Sequence, residues 1–154
     1  NRLQMVFDKG LYDPANEPDI AYPYLFSRFR GEEWRTQEEV RKLIDKYYTD
    51  RPDGIPGNDD TGTMSAWVVF SMLGFYPDCL GDPSYTLTTP VFDRAVLHLD
   101  KRYYPSGDLT IVANRPSPSA RLISTMTLGD KKLSSYRVSH AELLKGGRLV
   151  FNLK

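Results

Sequence analysis

The stretch Gly57-Asn58-Asp59-Asp60-Thr61-Gly62-Thr63-Met64-Ser65-Ala66-Trp67-Val68-Val69-Phe70 joins an acidic, glycine-flanked turn to an apolar run. The run reads as a helix over 63–73, stopped by Gly74, and it is apolar nearly all the way round, which predicts burial among several helices. A helix start directs free N–H groups and a partial positive charge at whatever anion lies there. The turn is therefore where an active-site carboxylate would stand, and the glycines open backbone conformations closed to other residues.

Upstream, Asp50-Arg51-Pro52-Asp53-Gly54-Ile55-Pro56-Gly57 is a loop by its prolines and glycines. Before it, Val40, Leu43, Ile44, Tyr47 and Tyr48 recur at helical spacing, with Thr36 and Glu39 spaced as a capping box. Asn16-Glu17-Pro18-Asp19 reads as another helix start, leading into Ile20, Tyr22, Tyr24 and Phe29, with Pro23 predicting a kink or a shorter helix.

After Pro77 the pattern changes to short runs rich in β-branched and aromatic residues: 85–89, 95–99, 109–113, 122–128 and 148–153. These predict an antiparallel sheet, with a hairpin turn at Gly129-Asp130-Lys131 and a short helix capped at Ser139 and ended by Gly146-Gly147. The stretch 78–83 reads as a short linker between the halves. The expected class is α+β, divided at 1–80 and 81–154.

With 154 residues, the chain is long enough for one ordinary domain or for pieces of a larger one. Twenty basic residues balance twenty acidic ones, so no global field attracts nucleic acid, and no apolar stretch is long enough to span a bilayer. The start, Asn1-Arg2-Leu3-Gln4-Met5-Val6-Phe7, reads like the interior of a longer protein. Cys79 is the single cysteine, which excludes an internal disulfide, and it reads as a small packed residue rather than a nucleophile.

Asp59 and Asp60 admit two readings: ordinary capping of the next helix, or a fixed site. Capping needs one acceptor, whereas Asn58, Asp59 and Asp60 offer several. Asn16 and Glu17 likewise read either as capping groups or as part of a site converging with the first. Such oxygen donors suit calcium better than zinc, although EF-hand spacing is absent after Asn58. The helical half is rich in aromatic residues; Tyr22, Tyr24, Tyr47, Tyr48, Trp67, Phe75 and Tyr76 fit a packed core, while Trp34, Arg28 and Arg30 sit in a charged stretch and read as surface groups.

Across nearly all its length the chain resembles the C-terminal part of glycoside hydrolase family 92, the calcium-dependent exo-acting α-mannosidases. The resemblance rests on Tyr12-Asp13-Pro14-Ala15-Asn16-Glu17-Pro18, on Trp34-Arg35-Thr36-Gln37 with Val40-Arg41, and on the run from Pro52 to Gly62. It continues through Met64 to Phe70 and Leu73-Gly74-Phe75-Tyr76-Pro77. It implies that the helical half is part of an (α/α)6 barrel and that the parent enzyme inverts the anomeric centre of terminal mannose on glycans. It further implies Asp60 as general base, assisted by Asn58 where the family often has Asp, with Asp59 between them.

The same resemblance implies that Asn16 and Glu17 line the mannose subsite and hold calcium together with Asp60. The general acid is expected upstream of Asn1, so the piece alone is expected to be inactive, and the parent to be secreted or periplasmic in a bacterium. Asp19-Ile20-Ala21 departs from the usual Ser-His-His, which bears on the linkage accepted. The alternatives are a non-catalytic carbohydrate-binding or structural module, and a free-standing calcium-binding domain.

Overall fold

A computed structural model describes residues 2–154. The helical half contains α1 (Arg2–Asp8), two 3-10 turns (Glu17–Asp19 and Tyr22–Arg28), α2 (Glu33–Tyr47) and α3 (Thr63–Leu73). The sheet half contains β1 (Phe75–Tyr76), β2 (Ser84–Leu87), β3 (Arg94–His98), β4 (Asp108–Asn114), β5 (Ile123–Leu128), β6 (Lys131–Leu133), β7 (Arg137–Ser139), α4 (His140–Leu143) and β8 (Gly147–Leu153). The class is α+β, as expected.

α3 has the predicted limits, and Gly74 ends it in the left-handed region at φ 92°, its N–H returning to the carbonyls of Phe70 and Ser71. Its burial is narrower than its composition predicts. Met64, Trp67 and Ser71 are buried, but Val69 is 55% exposed.

The capping box is corrected. α2 begins at Glu33, and Thr36 lies inside it, fully buried, its Oγ1 accepting the N–H of Ser27 at 3.1 Å. Packing against the preceding 3-10 turn, rather than the helix end, explains that threonine. The predicted helix after Asn16 is also corrected: Pro18 and Pro23 each remove a backbone donor, and the segment closes as two 3-10 turns.

Five strands form one sheet in the order β3-β4-β8-β5-β6, and three form another in the order β1-β2-β7. The hairpin between β5 and β6 turns through Gly129-Asp130, with Leu128 opposite Lys131. Ser139 caps α4, its Oγ accepting the N–H of Glu142 at 3.1 Å. One pairing departs from the antiparallel expectation, because β4 and β8 run parallel, from Leu109 opposite Gly147 to Asn114 opposite Asn152. Alternation along β8 sends Leu149, Phe151 and Leu153 into the core.

Two apolar cores result. Tyr24, Val40, Leu43, Met64 and Trp67 centre one, and Leu109, Ile111, Leu149 and Phe151 centre the other. Phe75 belongs to the second, with Phe70 and Leu73 packed against it, so the end of the helical half is bolted to the sheets.

The stretch read as a linker is part of that seam. The Asp78 carboxylate is fully buried and accepts from Arg28 Nη2 at 2.8 Å, Thr86 Oγ1 at 2.9 Å and Arg137 Nη1 at 3.3 Å. Arg28 is thus a partner across the seam rather than a free surface group. Cys79, expected to be packed, is exposed, because the chain turns outward immediately after the buried aspartate. Among the described residues, no helix is long and apolar enough to cross a membrane.

Candidate functional site at the mouth of α3

The capping reading of the acidic turn holds for Asp59 and not for Asp60. Asp59 caps: its Oδ1 accepts the N–H of Ser65 at 2.8 Å, and its carbonyl accepts those of Gly62 and Met64 at 3.2 and 3.1 Å. These are donors that the first turn of a helix leaves open. Asp60 is thereby released from capping. Its side chain is exposed and has no hydrogen-bond partner among the described residues, and only its carbonyl is engaged, by Thr63 N–H at 3.2 Å.

The backbone beneath it is unusual. Asp60, Thr61 and Gly62 take φ values of 48°, 60° and 93°, three successive left-handed residues of which only the last is glycine. A β-branched residue there is a genuine outlier, and such conformations gather at functional sites.

The second polar turn is built by its own side chains. Asp13 Oδ1 accepts the N–H of Ala15 at 2.9 Å, and Asp19 Oδ2 accepts that of Asp13 at 3.3 Å. Asn16 stands at the start of the 3-10 turn with φ −104° and ψ 111°, yet its side chain does not cap it. Asn16 and Glu17 are both exposed, and among the described residues neither side chain has a hydrogen-bond partner. The capping reading of this pair is therefore set aside.

The two turns meet. Gly57, at φ 86°, lies so close to Ala15 that a Cβ built on it would stand 2.8 Å from the Ala15 Cβ. That contact brings the segment carrying Asn58, Asp59 and Asp60 against the segment carrying Asn16 and Glu17.

Aromatic rings pack nearby. Tyr48 stacks on Trp67 with centroids 5.6 Å apart, and Tyr76 stacks on Tyr24 at 4.7 Å. Trp67 Nε1 donates to the Ile20 carbonyl at 2.9 Å, and Tyr24 Oη and Ser71 Oγ are 2.6 Å apart, which fixes the rings beneath. Burial pushes the Tyr48 hydroxyl up to about 12, with Tyr76 and Asp59 adding to it. Burial likewise pushes Tyr76 up to about 12, with Glu17 and Asp78 adding. Both remain neutral hydrogen-bond donors at any physiological pH.

Tyr48 and Tyr76 pack against the helical core, as expected, and each is also within electrostatic reach of an acidic turn, Tyr48 of Asp59 and Tyr76 of Glu17, which the core assignment alone does not foresee. The available signal was position: Tyr48 follows the last residue of α2, where the helical stripe no longer dictates burial.

Known proteins share this fold. The family model for the glycosyl hydrolase family 92 catalytic domain matches residues 1–154, and the chain belongs to that family. It is 32% identical to an inverting mannosidase of the family from Bacteroides thetaiotaomicron, with a TM-score of 0.81 over 98% of this chain and 20% of that one. A family 92 α-mannosidase from the same bacterium is 27% identical, with a TM-score of 0.84 over 94% of this chain and 19% of that one. A curated relative from Arthroderma benhamiae, described as an uncharacterized secreted glycosidase, is 26% identical over 99% of this chain and 19% of its own length. The chain therefore spans about a fifth of the length of these relatives.

Proposed function

We propose that this chain supplies one wall of the active site of a secreted or periplasmic inverting α-mannosidase that releases terminal mannose from glycans. In this reading residues 1–80 belong to the catalytic (α/α)6 barrel and residues 81–154 form the β region behind it. The observation that carries the proposal is the exposed, unpartnered Asp60 carboxylate on a left-handed backbone, beside a turn offering Asn16 and Glu17.

Asp60 takes a proton from a water molecule as that water attacks the anomeric carbon. A carboxylic acid from the upstream part of the chain protonates the departing oxygen on the opposite face. Inversion places two such carboxyls roughly 6.5–9.5 Å apart, leaving room for the water. Asn58 assists by orienting the water or the base, and Asp59 lies beside them.

Calcium is the proposed cofactor, with Asn16, Glu17 and Asp60 as candidate ligands. All three offer hard oxygen donors, and none has its side chain engaged by another partner among the described residues, so the donor set fits. No group of three or more His, Cys, Asp or Glu side chains able to hold a metal occurs among the described residues. The remaining oxygens would come from carbonyls, water, the sugar or other parts of the full-length enzyme. When bound, the ion would grip vicinal sugar hydroxyls and orient the ring.

The test is Asp60→Asn in the full-length enzyme. A loss of about 10²–10⁴ in kcat with an unchanged fold is expected for a missing general base. Hydrolysis within a few-fold of wild type would refute the assignment.

A further inference from the structure

Two features of the acidic turn go beyond supplying a carboxylate. Asp59 commits its side chain to the N–H of Ser65 at 2.8 Å and its carbonyl to those of Met64 and Gly62, fastening the turn to α3 at two points and closing it on itself at a third. Thr61 follows Asp60 at φ 60°, a conformation for which L residues with branched side chains have little tolerance. The glycine that would relax this position stands one residue later, at Gly62, and not at Thr61 itself.

We propose that Asp59 and Thr61 are positioning residues for Asp60: the Asp59 clamp holds the turn on the helix mouth, and the left-handed Thr61 narrows the directions in which Asp60 can leave the backbone. This rests on the reading of Asp60 as the base. On this left-handed run the Asp60 side chain is exposed, and the Ser65 N–H at the helix start is taken by Asp59 instead. Without the clamp, Asp60 is free to turn back and cap the helix itself. A restricted backbone keeps its carboxylate available to water instead, and misplacement of a reacting group by about 1 Å can cost 10²-fold in rate.

The experiment compares Thr61→Gly, Asp59→Ala, Asp59→Asn and Asp60→Asn in the full-length enzyme, reading Tm, kcat and KM for an aryl α-mannoside. Thr61→Gly removes the clash of a side chain in the left-handed region and should raise Tm by roughly 1–3 °C. It should also lower kcat by about tenfold with KM within twofold, because the loosened turn misplaces the base without altering sugar binding. Asp59→Ala should lower both Tm and kcat. Asp59→Asn keeps an oxygen acceptor for Ser65 N–H and should recover most of both losses.

A Tm that fails to rise in Thr61→Gly, a kcat there within twofold of wild type, or Asp59→Asn as impaired as Asp59→Ala would overturn the proposal. Asp60→Asn separates the two levels. If it abolishes turnover while Thr61→Gly retains wild-type kcat, only the positioning role falls; if it retains turnover, the base assignment falls with it.

Discussion

Gln37, in the second turn of α2, accepts the backbone N–H of Ile123 at the start of β5 through its Oε1 at 2.7 Å. The pair lies 86 residues apart in sequence and joins the helical half to the five-stranded sheet. Gln37 is 2% exposed, so the contact is sealed from water. Gln37→Leu fills the space but leaves the Ile123 N–H unpaired, and a loss of about 1–3 kcal/mol is expected in denaturant unfolding. A neutral result would mean that another acceptor takes over the N–H.

Asp78 holds the other seam. Asp78→Ala removes the shared partner of Arg28 and Arg137, whose side chains are 37% and 26% exposed and can still reach water. The expected loss is therefore about 1–3 kcal/mol, below that for a fully enclosed charge. Thermal unfolding of Asp78→Ala beside the Arg28→Ala and Arg137→Ala variants measures it, and non-additivity in the double variants reports the shared contact.

Gly57→Ala tests the meeting of the two turns. The new Cβ would press on Ala15 at 2.8 Å in a backbone at φ 86°, so both strain and displacement follow. We expect roughly 1–3 kcal/mol of destabilisation and a loss of turnover in the full-length enzyme. Combining it with Ala15→Gly should return part of the loss, because only the contact is relieved.

The tyrosines give a pH dependence with a definite sign. Tyr48 and Tyr76 titrate near 12 in the folded chain, against the ordinary 10.0 of a free tyrosine, so the unfolded chain releases their protons first. Their contribution is fully present below pH 10 and is lost as pH rises toward 12. Absorbance at the phenolate band during alkaline titration should show late-ionising groups, one of which disappears in Tyr48→Phe and another in Tyr76→Phe.

Metal removal completes the set. Exhaustive EGTA treatment of the full-length enzyme should abolish hydrolysis, and calcium should restore it while zinc does not. An undiminished rate after chelation would exclude the proposed calcium role.

Local signals are legible in this sequence, and distant pairings are not. The limits of α3, the Gly129-Asp130 hairpin and the Ser139 cap depend on neighbours within a few residues, and each stands where the residues predict it. Thr36 misleads because its hydroxyl serves Ser27 on a packed element instead of its own helix end. Asp78 is hidden in an apparent linker because its partners, Arg28 and Arg137, lie 50 and 59 residues away. The strands β6 and β7 have three residues each, too few to display an alternation.

The candidate site is legible as residue types and illegible as geometry. Asn16, Glu17, Asn58, Asp59 and Asp60 stand out by composition alone. Nothing in their spacing separates Asp59 as the capping acid from Asp60 as the free one, since that division depends on three successive left-handed dihedrals.

The parallel pairing of β8 with β4 has a consequence for biosynthesis. β8 lies between β4 and β5, yet it follows every other strand of that sheet in the chain. The ribosome therefore delivers the flanking hairpins before the strand that joins them, and a nascent chain halted before Gly147 holds two unsatisfied edges. Closure of this sheet waits on translation of its centre, a delay during which a chaperone would have a defined surface to shield.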